Sequence, residues 1–168
     1  IMALQVVSMI QNGHSFEKVV AYAEELAGKV EHRFLVSDLN WLAKSGRINR
    51  AVALTGRVIG VKPVLHVQEG KIKMLRIIRG SSRYLQHLAQ MIAESCKDFT
   101  QQIIGISFAD DDRIAHELAQ LLQEKVKGCY IMITRIGSVL ASHLGTGGVG
   151  AFFLTHQPSY YDTKVINT

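Results

Sequence analysis

"QIIGISFADDDRIAHELAQLLQEKVKGCYIMITRI", residues 102–136, reads as a strand, a helix and a second strand. Gln102 to Ala109 is an apolar run of strand length, the pattern of a strand buried in a sheet. Asp110, Asp111 and Asp112 follow it, and acidic oxygens belong at a helix start, where they accept from free amides and oppose the dipole. Apolar residues then recur at helical spacing from Arg113 to Lys127, and Cys129 to Ile136 returns to strand character.

The same alternation extends in both directions. Upstream, Gly80-Ser81-Ser82 precedes an amphipathic helix from Tyr84 to Lys97. Before it, Val64 to Val67, a Gln68-Glu69-Gly70 turn and Lys71 to Arg79 form a β-hairpin. Phe34-Leu35-Val36 is a short strand, after which Asp38 or Asn40 caps a helix that Gly46 ends. Asn49 caps a further helix, Ala51 to Ile59, which Gly60 and Pro63 terminate. Residues 1–30 form a helical hairpin broken at Asn12-Gly13, with Ser15 as the second N-cap. Downstream, Ser138 to Leu144 is a short helix and Ala151 to Thr155 a closing strand. Strands alternating with helices of ten to fifteen residues predict an α/β domain with a mixed or parallel sheet and an inserted β-hairpin.

At 168 residues, 48% apolar and 20% charged, the chain holds one domain with a real core, or one domain and part of another. Its longest apolar runs are far too short to span a bilayer. The two cysteines, Cys96 and Cys129, lack CxxC spacing, so neither a disulfide framework nor a zinc site is indicated, and a reducing, cytoplasmic location is expected. The 19 basic residues against 14 acidic ones invite a nucleic-acid reading, but they are scattered. In the densest group, Lys71, Lys73, Arg76, Arg79 and Arg83 interleave with Ile72, Met74 and Ile77 as on a solvated strand face. The opening Ile1-Met2-Ala3 falls within a helical pattern, with no signal-peptide n-region, and further sequence is expected upstream.

Gly145 to Gly150 spells the dinucleotide fingerprint, but in the order helix, glycines, strand, which places no helix N-terminus at a pyrophosphate. Gly105-Ile106-Ser107-Phe108-Ala109 resembles a nucleophile elbow, with Asp110 and His143 following in hydrolase order. A serine hydrolase acting on a lipid or ester through Ser107 and His143 is therefore the alternative reading. Ser107 lies inside an apolar strand, however, where a core hydroxyl bonded to backbone is expected. None of the seven histidines pairs at metal-ligand spacing, so no metal is expected. His14, His87 and His116 fall on surfaces, while Trp41 and Phe152-Phe153 read as core. Arg47, Arg79 and His143 fall at turns or element ends, where α/β folds place ligand-contacting groups. With apolar helices beside them, these donors suit a ligand with one acidic end and one greasy end.

Trp41-Leu42-Ala43-Lys44-Ser45-Gly46-Arg47-Ile48 and Gly60 to Leu65 resemble motifs of the DegV family. So do Glu69-Gly70, Arg79 to Arg83, and His143-Leu144-Gly145-Thr146-Gly147 with Gly150 to Phe153. The family comprises bacterial two-domain α/β proteins that bury one fatty acid between their domains and present it to a fatty acid kinase. The resemblance implies a non-enzymatic, cytoplasmic carrier of a long-chain fatty acid, without cofactor, with a kinase as partner and transient membrane contact. It assigns Arg47 and His143 to the head group and Arg79 to a basic position serving kinase docking. Thr146 stands where the family usually has proline. On this reading residues 1–30 are a helical remnant of a missing N-terminal α/β domain that carries the family's ligand-binding hydroxyls. Residues 31–168 are then the C-terminal domain, and a fragment of this kind binds poorly alone.

Overall fold

The structure, a computed structural model, describes residues 1–49, 61–80 and 83–166. The helix expected at Ala51 to Ile59 lies outside the described residues. Two helices, α1 (Met2–Gln11) and α2 (Phe16–Lys29), open the chain, and α2 passes directly into β1 (Val30–Leu35). Then come α3 (Leu39–Lys44), β2 (Val61–Gln68), β3 (Lys71–Arg79), α4 (Tyr84–Ser95), β4 (Ile103–Phe108), α5 (Asp112–Lys125), β5 (Tyr130–Arg135), α6 (Ser138–Leu144) and β6 (Val149–Leu154). A single 3-10 turn, Thr163–Ile166, follows.

The strands form one six-stranded sheet in the order β3-β2-β1-β6-β4-β5. Only β4 and β5 run parallel, joined through α5 as the opening stretch of sequence implies; every other pair is antiparallel. The mixed α/β expectation holds. The hairpin β2-β3 continues the sheet outward from β1 as one of its edges. Pro63 falls inside β2, opposite Ile77 of β3. Pairing of β2 with β1 stops at Val64, so the amide that proline lacks is not needed on that side.

α4 and α5 pack on each other and on one face of the sheet. Each buries residues at i, i+3, i+4 and i+7: Leu85, Leu88, Ala89 and Ile92 from α4, and Ala115, Leu118, Ala119 and Leu122 from α5. They meet Ile104, Ile106, Ala151 and Phe153 from the sheet. Full burial of each large aliphatic side chain contributes about 1.5–3 kcal/mol. α5 starts where the aspartate run predicts, with Asp111 accepting from the Arg113 amide at 3.0 Å.

On α1 and α2, Met9, Val19, Tyr22 and Leu26 pack with Phe99, Leu154 and the C-terminal Tyr160 and Tyr161. Gln5 of α1, fully buried, bonds both backbone groups of Asp162, donating to its carbonyl at 2.9 Å and accepting from its amide at 2.8 Å. The two opening helices are thus tied to the last residues of the chain.

Candidate functional site

The face of the sheet opposite α4 and α5 carries a different set of side chains. Strand alternation sends Ile104 and Ile106 to the helices and leaves Gly105 and Ser107 on the other side. Register lines up two rows there. One runs Leu65, Phe34, Gly150, Ser107, Thr134; the next runs His32, Phe152, Gly105, Met132.

Over these rows lies an almost wholly apolar cavity of about 250 Å³, walled by Phe34, Val67, Ile72, Phe152 and, from above, Leu140 and Leu144 of α6. A second cavity, of about 360 Å³, adjoins it and is lined by Ile1, Met2, Gly105, Met132 and Thr134. His32, Ser107 and Phe152 border both. His32 stands edge-on to Phe152, with ring centres 5.1 Å apart and planes at 83°. Burial, and then the Arg33 charge, depress its pKa against the opposing pull of Glu31, which favours a neutral imidazole.

α3 and α6 close one end of this face. Leu144 joins Val36, Leu39, Leu42 and Leu65 in a small cluster, so the two helices are held together above the sheet. Asp38 caps α3, accepting from the Asn40 amide at 2.8 Å, and Gly46 ends it at φ +71°. Arg47 follows, exposed, its amide bonded to the Leu42 carbonyl at 2.8 Å. His143 sits half-buried in the last turn of α6, before Gly145 at φ +72°.

The glycine loop after His143 is held from three sides. Asp110 accepts from the Gly147 amide at 2.6 Å, the Ala109 amide donates to the Gly148 carbonyl at 2.9 Å, and the Ser37 hydroxyl donates to the Thr146 carbonyl. Thr146 takes part in this hold through its backbone carbonyl. Trp41 lies over Gly145, where an added Cβ would come within 2.6 Å of the indole Cδ1.

Neither Arg47 nor His143 lines either cavity: Arg47 is exposed after α3, and His143 precedes Leu144, the α6 residue that does line the first. Arg79 does not join them: it lines a separate shallow cleft with Arg76, His87, Gln90 and Glu94, between β3 and α4. Ser107 differs from its expectation. Its hydroxyl pairs with that of Thr134 at 3.1 Å rather than with backbone, and it borders the cavities. That bond joins two hydroxyls and supplies no general base, so it gives no nucleophile arrangement with His143. Phe152 and Trp41 are not core. Phe152 lines the cavities, while Trp41 is 47% exposed. His32 and Thr134 escaped the sequence reading, which took Phe152 for core. The one signal for this face is the small and polar pair Gly105 and Ser107 alternating with isoleucines. Among the described residues no group of acidic, histidine or cysteine side chains could hold a metal, and no helix is long and apolar enough to cross a membrane.

Residues 1–156 match a family model described as an uncharacterised protein of the DegV family. A DegV domain-containing protein of Clostridium perfringens is 31% identical over 153 residues, covering 89% of this chain and 53% of that protein. One from Staphylococcus aureus is 31% identical over 151 residues, covering 88% and 51%. The chain thus spans about half the length of the curated relatives it matches. Among solved structures, a fatty acid binding DegV family protein of Streptococcus agalactiae is 28% identical with a TM-score of 0.75, covering 90% of this chain and 53% of that one. DegV of Bacillus subtilis, described as a fatty acid binding protein, is 26% identical at a TM-score of 0.74, covering 90% and 54%. The Streptococcus pneumoniae Fatty Acid Kinase (Fak) B3 protein, loaded with linoleic acid, shares the fold at a TM-score of 0.81 and 18% identity, covering 92% and 54%. By its family match and its relatives, this chain belongs to the DegV family.

Proposed function

We propose that this chain is the C-terminal half of a cytoplasmic, non-enzymatic carrier that buries a long-chain fatty acid between two domains and presents it to a fatty acid kinase. The observation that carries this reading is the apolar cavity on the sheet face that α4 and α5 leave free, covered in part by Leu140 and Leu144 of α6, the helix that carries His143. Aliphatic walls suit an acyl tail, since each buried methylene contributes about 0.8 kcal/mol. Arg47 and His143 suit the carboxylate, one as a permanent charge and the other as a hydrogen-bond donor.

Residues 31–168 form the C-terminal domain in this reading. Residues 1–30 are the last helices of an N-terminal domain that roofs the open face, and without it the acid is held weakly. Arg79, with Arg76 beside it on the edge strand, offers the kinase a basic contact away from the ligand. Val139 and Leu140, exposed on α6 next to the cavity, serve transient contact with the membrane from which an acid is taken.

The test is extraction and mass analysis of the lipid that copurifies with the full-length protein, with Arg47→Ala and His143→Ala alongside. A charge-assisted hydrogen bond is worth about 1.5–3 kcal/mol, so each variant is expected to lower acid affinity or phosphorylation about 10-fold to 100-fold. Unchanged turnover in both defeats the head-group assignment. A stoichiometric acid retained by these 168 residues alone, seen in native mass spectrometry, defeats the need for a second domain.

A further inference from the structure

The two cavities on the open face share a border made by His32, Ser107 and Phe152. Phe152 stands in the centre of the sheet, paired with His32 of β1 on one side and with Gly105 of β4 on the other. Phe152 lines both the cavity toward α6 and the second cavity. His32 braces the ring edge-on from the β1 side. On the β4 side nothing larger than hydrogen stands at residue 105, where an added Cβ would meet Phe152 Cβ at 3.8 Å and Ile1 Cδ1 at 3.7 Å, both ordinary contacts. Of the three residues that border both spaces, His32, Ser107 and Phe152, the phenylalanine is the one large apolar side chain.

We infer that Phe152, braced by His32, is the partition that sets how far an apolar tail runs along the sheet, and so selects the chain length of the ligand. The inference rests on the fatty-acid reading and goes beyond it by naming the side chain that measures the tail. An acid anchored at the α3–α6 end extends under Leu140 and Leu144 toward the ring. The first cavity on this side of the site holds about 250 Å³. Replacing Phe152 with alanine joins the cavities. A methyl at residue 105 takes part of the joined space back.

The experiment measures binding of saturated acids from dodecanoic to eicosanoic to the full-length protein and to Phe152→Ala, Phe152→Leu, Gly105→Ala and the Phe152→Ala/Gly105→Ala double variant. In the parent protein affinity is expected to rise about fourfold per methylene and then level off. In Phe152→Ala the rise continues to longer acids, a gain of at least about fourfold for each further methylene accommodated. Phe152→Leu gives a smaller extension and keeps the test open if the alanine variant does not fold. In the double variant Gly105→Ala cancels part of the gain, and the single Gly105→Ala variant gives the reference for that comparison. If the parent binds acids and the Phe152 variants keep its chain-length profile, the partition is overturned while the fatty-acid reading stands. If the parent binds no acid of the series, that reading fails, and the partition with it.

Discussion

Gly145 shows how one residue holds a candidate ligand group in place. It ends α6 at a positive φ directly after the turn carrying His143, and the Trp41 indole occupies the space a side chain would need. Gly145→Ala is expected to cost about 1–2 kcal/mol from the left-handed backbone alone, and more because the indole must move. Urea denaturation measures that loss, and indole fluorescence reports the displacement. The sequence shows the glycine and the histidine but not the tryptophan over the glycine, because a large aromatic ring reads as core whether it is covered or lies across a loop. Phe152 and Phe153 carry the same lesson. Adjacent residues on a strand face opposite ways, and which side the helices cover is decided by β4 and β6 pairing across about fifty residues of sequence.

At the level of elements, the hairpin was the most legible feature and can be tested most directly. Glu69 and Gly70 form its two-residue turn with φ of +53° and +72°, the backbone a right-twisted hairpin favours. Glutamate carries a Cβ penalty there, so Glu69→Asn is expected to stabilise the protein by a few tenths of a kcal/mol, and Gly70→Ala to destabilise it by about 1–2 kcal/mol. Thermal unfolding of the two variants should move in opposite directions. Helix starts were legible for the same reason as turns, since Asp38 and Asp111 act through local chemistry. β1 and β2 begin earlier than expected, at Val30 and Val61. No turn separates α2 from β1, and Pro63 is a breaker only where its missing amide would have a partner.

For the molecule as a whole, the C-terminal segment acts as a strap that the sequence did not reveal, because its bonds reach residues from 58 to 157 positions away. Tyr161 accepts from the Ile103 amide at 2.6 Å, and burial pushes its phenol up to about 12. The unfolded chain ionises near pH 10, so this contribution is complete below about pH 10 and is lost as pH rises toward 12. At the other extreme, bonds from Lys29 and then Ser159 pull the Glu25 carboxyl down to about 2. Its contribution is present above the ordinary carboxylate range and fades as pH falls toward 2. Amide exchange at Ile103 and Ser159 followed across pH should show the first site loosening in alkali and the second in acid. Tyr161→Phe leaves the Ile103 amide without its acceptor, at a cost of about 1–3 kcal/mol, and should remove the alkaline change at that site.

The strand order has a consequence for how the protein is made. β6 pairs with both β1 and β4, so the last strand in the chain joins a half-sheet of the first three strands to a half-sheet of the next two. During synthesis β1 and β4 wait as open edges until Leu154 leaves the ribosome, and the chain must then close loops spanning most of its length. A nascent chain arrested before Val149 is expected to be captured by chaperones or to aggregate, whereas one arrested well after Thr155 resists protease as a unit.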